Sequence, residues 1–180
     1  MRFACILLFA LACGCGQRSN AQHGSKTDAE LIANAMSAGP QAISGDATIM
    51  AMEGDKMRTL RQGSGAWTCV PDDPGSPGND PMCLDANAME WLHAWMSHKD
   101  APKGKMGLVY MLQGGSDASN DDPFATSPPP GAKWVTTGPH VMVVGLAGML
   151  DNLPKSADAP TKPFIMWGGT AYEHIMMPVQ

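Results

Sequence analysis

Two histidine–methionine pairs near the end of the chain carry the residue types best suited to chemistry. His140 precedes Met142 by two positions, and His174 precedes Met176 by the same spacing. Alternate side chains of a β-strand point to one face, so each pair would present an imidazole beside a thioether. Imidazole suits copper, and thioethers select Cu(I). If the two strands pair with these faces together, the four side chains form a copper site. If they do not, the methionines are core residues and the histidines are hydrogen-bonded or exposed.

Methionine is unusually frequent in the chain as a whole. There are 15 Met but only 12 Leu, although Leu is ordinarily among the commonest residues. Met is soft and adaptable, so it fills irregular cores and lines surfaces that repack around varied partners. We therefore predict a non-enzymatic binding or interaction module, whose partner is a small apolar ligand or another protein of the cell envelope.

Two irregular segments are the expected places for binding residues. Residues 71–82 contain four Pro and three Asp, and residues 114–133 are the longest stretch without hydrophobic periodicity. Loops of that length are uncommon inside a domain and are often functional. An EF-hand is excluded, because Asp122 stands where the calcium loop needs Gly and Pro128 stands where it needs Glu. The candidate binding residues are four polar side chains of these loops: Asn79, Asp80, Asp117 and Asp121.

A small serine hydrolase is the alternative from a different functional class. Ser116 follows two glycines and, with His140 or His174 and an aspartate, could complete a catalytic triad. The segment has neither the G-x-S-x-G pattern of a nucleophile elbow nor an S-x-x-K spacing. Ser116 is thus a candidate nucleophile without a supporting motif, and the sequence favours a binding protein over an enzyme.

The N-terminus has the features of an export signal over residues 1–21. Met1-Arg2 precedes an apolar run at residues 3–12, and a small polar segment follows. This is the layout of a secretory signal, and the apolar run is too short to span a bilayer as a helix. Cleavage after Ala21 predicts a protein of the periplasm or the extracellular space, without a transmembrane segment in the mature chain. Alternatively, residues 10–13 resemble a lipobox, which predicts a lipid anchor at Cys13 on the outer surface.

Cysteine usage agrees with export. Cys5, Cys13 and Cys15 lie in or beside the signal, which leaves Cys69 and Cys83 as the only pair in the remaining chain. In an oxidising compartment two such thiols usually form a disulfide. The sequence therefore predicts a Cys69–Cys83 bridge that closes the loop at residues 71–82.

The net charge of the chain argues against polyanionic partners. Without Arg2 and Arg18 of the predicted signal, 10 basic residues face 17 acidic ones, so the net charge is −7. Nucleic acids and anionic membrane surfaces attract basic proteins. We therefore expect neither as a partner.

The pattern of elements predicts an α+β fold. Thr27 and Glu30 have the spacing of a capping box, and Asp85 offers an N-cap to a second helix that ends near His98. Short strands arrive in hairpins between and after these helices, including a hairpin at residues 164–179. We predict an antiparallel sheet of about five to seven short strands with two main helices and one disulfide, in a single globular domain at residues 26–180.

Several strings in the chain are distinctive: WTCVPD at residues 67–72, PGNDPMC at residues 77–83, YMLQGG at residues 110–115 and GPHVM at residues 138–142. In these strings and in the C-terminal hairpin the chain resembles a family of exported bacterial proteins that has no assigned activity. The resemblance implies export and one domain, and it implies no mechanism or cofactor.

Overall fold

The computed structural model describes residues 26–54, 56–155 and 161–179. Within these residues, three helices and ten strands follow one another. They are α1 (Asp28–Met36), α2 (Gln41–Ser44), β1 (Thr48–Glu53), β2 (Lys56–Arg61), β3 (Thr68–Val70), β4 (Met82–Leu84), α3 (Ala86–Met96), β5 (Gly107–Met111), β6 (Gly115–Asp117), β7 (Val135–Thr137), β8 (His140–Val144), β9 (Phe164–Met166) and β10 (His174–Pro178).

The two main helices begin where the sequence predicts. Thr27 Oγ1 accepts from the Glu30 amide, and the Glu30 carboxylate accepts from the Thr27 amide at 2.7 Å, which completes the capping box. Asp85 Oδ1 accepts from the Ala88 amide at 2.8 Å at the start of α3. Each cap satisfies amides that have no partner inside the first helical turn.

Eight strands form one sheet in the order β2-β1-β3-β4-β5-β8-β10-β9, and β6 pairs with β7 in a separate two-stranded sheet. The mixed α and β composition agrees with the prediction, but the main sheet is larger than the predicted five to seven strands. It is also not wholly antiparallel, because β1 and β3 run parallel. Long-range pairing of this kind leaves no mark on local spacing, since β1 and β3 are separated along the chain by β2.

The sheet buries a different cluster on each face. On one face the core consists of Ala35 and Ala38 from the α1 region together with Ile49, Cys69 and Cys83 from the strands. On the other face α3 contributes Trp91 and Leu92 to a larger cluster that contains four strand methionines. These are Met111, Met142, Met166 and Met176. The second face carries the candidate site.

The predicted disulfide is present and joins neighbouring strands. Cys69 of β3 lies opposite Cys83 of β4, which is 14 positions later in the sequence, and both are fully buried. Gly39, between α1 and α2, packs against this bridge: a Cβ there would lie 3.2 Å from Cys83 Sγ. The bridge therefore joins the two ends of the loop at residues 71–82 and supports the packing of α1 and α2 on the sheet.

Predictions on the N-terminus lie outside the described residues, including the signal at residues 1–21 and the lipid anchor at Cys13. Over the part of the chain that the structure describes, no helix has both the length and the apolar character needed to cross a membrane.

A methionine-rich cavity as the candidate metal site

A cavity of about 1280 Å³ lies on the α3 face of the main sheet. Its lining comes from α3, from both irregular segments and from all eight strands of the large sheet. Eight of the 15 methionines line it, so the methionine excess of the sequence is concentrated in one place. They are Met52, Met57, Met82, Met96, Met111, Met142, Met166 and Met176.

The two His-x-Met pairs lie on neighbouring strands and face the same cavity. In the β8–β10 pair Met142 lies opposite Met176, and His140 lies opposite Pro178. All four predicted ligands line the cavity, and each is at most 7% exposed. The structure thus brings His140, Met142, His174 and Met176 together on one face, with the two methionines at the centre and one histidine at each end.

Both imidazoles are held in the same way. His140 Nδ1 is 2.7 Å from the Gly138 carbonyl oxygen, and His174 Nδ1 is 2.9 Å from the Tyr172 carbonyl oxygen. Because a carbonyl only accepts, each Nδ1 carries the proton and each Nε2 is left with a lone pair. Both Nε2 atoms are buried and have no hydrogen-bond partner among the described residues.

Burial favours the neutral form of both imidazoles. It lowers the pKa of His140, and it lowers the pKa of His174 to about 4, a shift to which repulsion from a protonated His140 would add. The Nδ1 bonds to carbonyl oxygens oppose this shift but are weaker. A neutral imidazole with a free Nε2 is the form that binds a metal or accepts a hydrogen bond.

Two further methionines complete the surroundings of the histidines. Met111 of β5 lies opposite His140, and Met166 of β9 lies opposite His174. The His-x-Met spacing does not identify them as ligands, because neither has a histidine two positions away. The only feature of the sequence that could identify them is their position on buried strands, where alternate side chains point to the same face.

Tryptophan side chains form one wall of the cavity. Trp167 stacks with both Trp91 and Trp95, with ring centroids 6.0 and 6.2 Å away and planes within 10° of parallel. His174 meets the rings of Trp91 and Trp167 edge-on, at centroid distances of 5.5 and 5.0 Å. The indole N–H groups of Trp95 and Trp167 donate to the carbonyl oxygens of Pro123 and Ser119, which fixes the long segment 114–133 to this wall.

Another part of the cavity, its acidic end, contains Asp80 and Asp117. Ser76 Oγ donates to Asp80, and Ser116 Oγ lies 3.3 Å from Asp80 Oδ2. Burial raises the pKa of Asp80, and burial together with the negative charge of Asp80 raises the pKa of Asp117 to about 7. The candidate binding residues Asp80 and Asp117 therefore share this end with Ser116.

The remaining candidate residues lie elsewhere. Asn79 Oδ1 accepts from Asn34 Nδ2 at 2.8 Å and does not line the cavity. Asp121 is exposed, and its amide donates to Ser119 Oγ. Segment 114–133 also contains β6 (Gly115–Asp117), so it is less irregular than the sequence predicts. It starts with a strand because Gly115, Ser116 and Asp117 pair with Thr137, Thr136 and Val135.

Within residues 26–54, 56–155 and 161–179, no group of three or more His, Cys, Asp or Glu side chains suited to a metal ion was found. The histidines of the cavity are accompanied by thioethers instead, and thioethers are ligands for soft metals.

Comparisons with protein families, with curated protein sequences and with solved structures found no match for this chain. The resemblance of residues 67–72 and 77–83 to exported bacterial proteins therefore stays a prediction, and function has to be argued from the cavity.

Proposed function

We propose that this chain is a non-enzymatic binding protein of the cell envelope whose cavity binds copper as Cu(I). The ligands are the Nε2 atoms of His140 and His174 and the thioethers of Met142 and Met176. The observation that carries the proposal is the pair of buried Nε2 atoms that have no hydrogen-bond partner in the described part of the chain, both in the methionine-lined cavity.

A buried acceptor without a partner is costly. It loses its hydrogen bonds to water and gains nothing in return, which typically costs 1–3 kcal/mol. Two such atoms in one cavity would therefore cost a substantial fraction of the free energy of unfolding of an ordinary fold. Binding of a metal ion removes this cost, because the lone pair is then used.

The Nδ1 bonds have the form found around metal-binding histidines. Such histidines almost always donate their other ring N–H to a carbonyl, carboxylate or water, which fixes the tautomer and the ring orientation. In this chain the acceptor is the carbonyl two residues earlier for both His140 and His174. Since the two ring nitrogens point in nearly opposite directions, we infer that each Nε2 is directed toward the residue two positions later. That residue is Met142 for His140 and Met176 for His174.

The chemistry of the lining favours a soft monovalent ion. Thioethers are neutral and polarisable, and they select Cu(I) over harder ions. The apolar surroundings also disfavour a highly charged ion, because its desolvation would be expensive. Carboxylates that would suit a harder ion lie at the acidic end, around Asp80 and Asp117.

The proposed compartment is the periplasm or the extracellular space. The Cys69–Cys83 bridge fits an oxidising compartment, and the predicted signal at residues 1–21 supports export. A lipid anchor at Cys13 is the alternative form of the same proposal. Ser116 is not proposed as a nucleophile, because its hydroxyl contacts Asp80 and Ser76, and these contacts supply no general base of the His type.

Thermal unfolding in the presence of Ag(I), a redox-silent soft ion, tests the proposal. A ligand at 100 times its dissociation constant stabilises the folded state by about 2.7 kcal/mol. We expect this gain for the wild type, and we expect its loss in the double variant His140→Phe/His174→Phe. Met149→Leu is the matched control, because Met149 is 66% exposed and lies outside the cavity. An equal gain in the wild type and the double variant would refute the proposal.

A small apolar ligand is the second candidate, and the size of the cavity favours it. About 1280 Å³ exceeds the space that an ion needs, and four tryptophans line it. The fluorescence of the neutral probe N-phenyl-1-naphthylamine should rise on binding and should fall in Ala118→Trp, which fills the cavity. Ala132→Trp, at an exposed position of the same segment, is the control. Equal probe binding by both variants would exclude the cavity as the apolar site.

A further inference from the structure

We propose that the cavity holds two soft-metal sites: His140, Met142 and Met111 bind one Cu(I), and His174, Met176 and Met166 bind a second. This inference rests on the proposed function and states how many ions the cavity binds and which thioethers hold them. The juxtaposition that carries it is the β-sheet register, which gives each histidine one methionine on its own strand and another directly opposite.

The first triad spans β5 and β8. Met111 and His140 are direct cross-strand partners, and such partners have Cβ atoms about 4.5–5.5 Å apart on the same face. Their side-chain ends also approach each other. A Cβ built on Gly115 would lie 3.2 Å from Met111 Cε and 3.3 Å from His140 Cε1, so both atoms border the same small space. Met142 follows on the same face of β8, about 7 Å along the strand.

The second triad spans β9 and β10 and repeats this arrangement. Met166 and His174 are direct cross-strand partners, and Met176 follows His174 two positions later on the same face. Met166 and Met176 are each 1% exposed. The local twofold symmetry of the antiparallel β8–β10 pair, centred between Met142 and Met176, relates this triad to the first one.

The backbone positions of the two histidines are far apart along the strands, which favours one ion per histidine. The cross-strand partner of His140 is Pro178, four residues beyond His174. Four residues of strand correspond to about 13 Å between the two backbone positions. One ion bonded to both Nε2 atoms would need them within about 4 Å of each other, on the bond length that imidazole makes to zinc. Each histidine instead has one methionine two positions later on the same face of its own strand and another directly opposite on the neighbouring strand.

The aromatic wall makes the two sites distinguishable. Trp91 and Trp167 contact His174 edge-on and belong to the second triad's surroundings. We therefore expect an ion at the second site to quench tryptophan emission more strongly than an ion at the first.

Native mass spectrometry of the disulfide-bonded protein with Ag(I) tests the inference. The wild type should bind two ions at saturation. His140→Phe/Met111→Leu should bind one ion and keep most of the quenching, whereas His174→Phe/Met166→Leu should bind one ion and lose most of it. Met106→Leu/Met149→Leu, at positions 56% and 66% exposed, is the control and should bind two.

The possible negative results distinguish failure of the two-site inference from failure of the proposed function. A wild type that saturates at one ion, or a pair variant that loses both ions, overturns the two-site inference and leaves the proposed function intact. A wild type that binds no ion overturns both. NMR of the wild type labelled with methyl-¹³C methionine avoids the risk of unfolded variants: Ag(I) should shift the methyl signals of Met111, Met142, Met166 and Met176. Unchanged signals for Met111 and Met166 would overturn the inference.

Discussion

Met142 of β8 lies directly opposite Met176 of β10, and both are buried on the face of the sheet that α3 covers. This pair stands between two histidines whose Nε2 atoms lack partners among the described residues. The relationship turns two short sequence motifs, 34 positions apart, into one continuous row of imidazole and thioether groups. The proposed copper chemistry depends on this row.

The space beside His140 depends on the absence of a side chain at residue 115. Gly115→Ala would place a Cβ 3.2–3.3 Å from Met111 Cε, His140 Cε1 and Thr137 Oγ1, so these groups must shift. We expect a fall in Ag(I) affinity at the first site of about tenfold, or about 1.4 kcal/mol. Calorimetric titration measures it. Met149→Leu is the control, since Met149 is 66% exposed and lies outside the cavity. Equal affinities in the two variants would contradict the packing argument.

The disulfide should make a large contribution to stability. Cys69→Ala/Cys83→Ala removes the bridge without leaving a free thiol, and loss of a native disulfide from a small domain typically costs 2–5 kcal/mol. The two residues are fully buried, so packing is lost as well. Urea denaturation of the oxidised wild type and of the double variant measures the difference. A loss below about 1 kcal/mol would show that the loop at residues 71–82 is held by its other contacts.

Asp117 should make the apoprotein less stable as the pH rises. Burial and the charge of Asp80 raise its folded pKa to about 7, whereas an unfolded Asp titrates near 3.9. The folded state therefore binds the proton more tightly between these values, and stability from this group is lost as the pH rises through 7. Asp117→Asn should gain thermal stability relative to the wild type from pH 5 to pH 8.

The comparison of variant and wild type also removes an opposing effect. Burial lowers the pKa of His140 and His174, and these groups favour the folded state at higher pH. Because both proteins contain them, their contribution cancels in the difference. Asp121→Asn, in the same loop but exposed, is the matched control. Parallel pH profiles for Asp117→Asn and the wild type would argue against a shared acidic end.

Export predicts a processed N-terminus. Intact mass spectrometry of the protein from its native host should find a chain that begins after Ala21, or a lipid-modified chain that begins at Cys13. The Cys69–Cys83 bridge should appear in the same spectrum as a mass about two hydrogens below that of the reduced protein. An intact Met1 on a protein with two free thiols would contradict export.

The spacing of residues in the sequence predicted those features that depend on interactions between residues close together in the chain. The capping box at Thr27, the N-cap at Asp85 and the C-terminal hairpin follow from short-range hydrogen bonding and periodicity, and all are present. The His-x-Met spacing likewise placed each histidine on the face of its methionine, because side chains alternate along a strand. The disulfide followed from having two cysteines outside the predicted signal.

Only the tertiary structure decided which strands are neighbours and in what register. The parallel pairing of β1 with β3, the eight-stranded sheet and the β6–β7 pair join residues that local patterns do not connect. Met111 and Met166 became candidate ligands for the same reason, since a cross-strand neighbour is set by the pairing of whole strands. The hydrogen bonds that leave Nε2 of His140 and His174 free also depend on backbone geometry. Sequence alone determined the kinds of ligand available, and the long-range pairing of strands determined which of them meet.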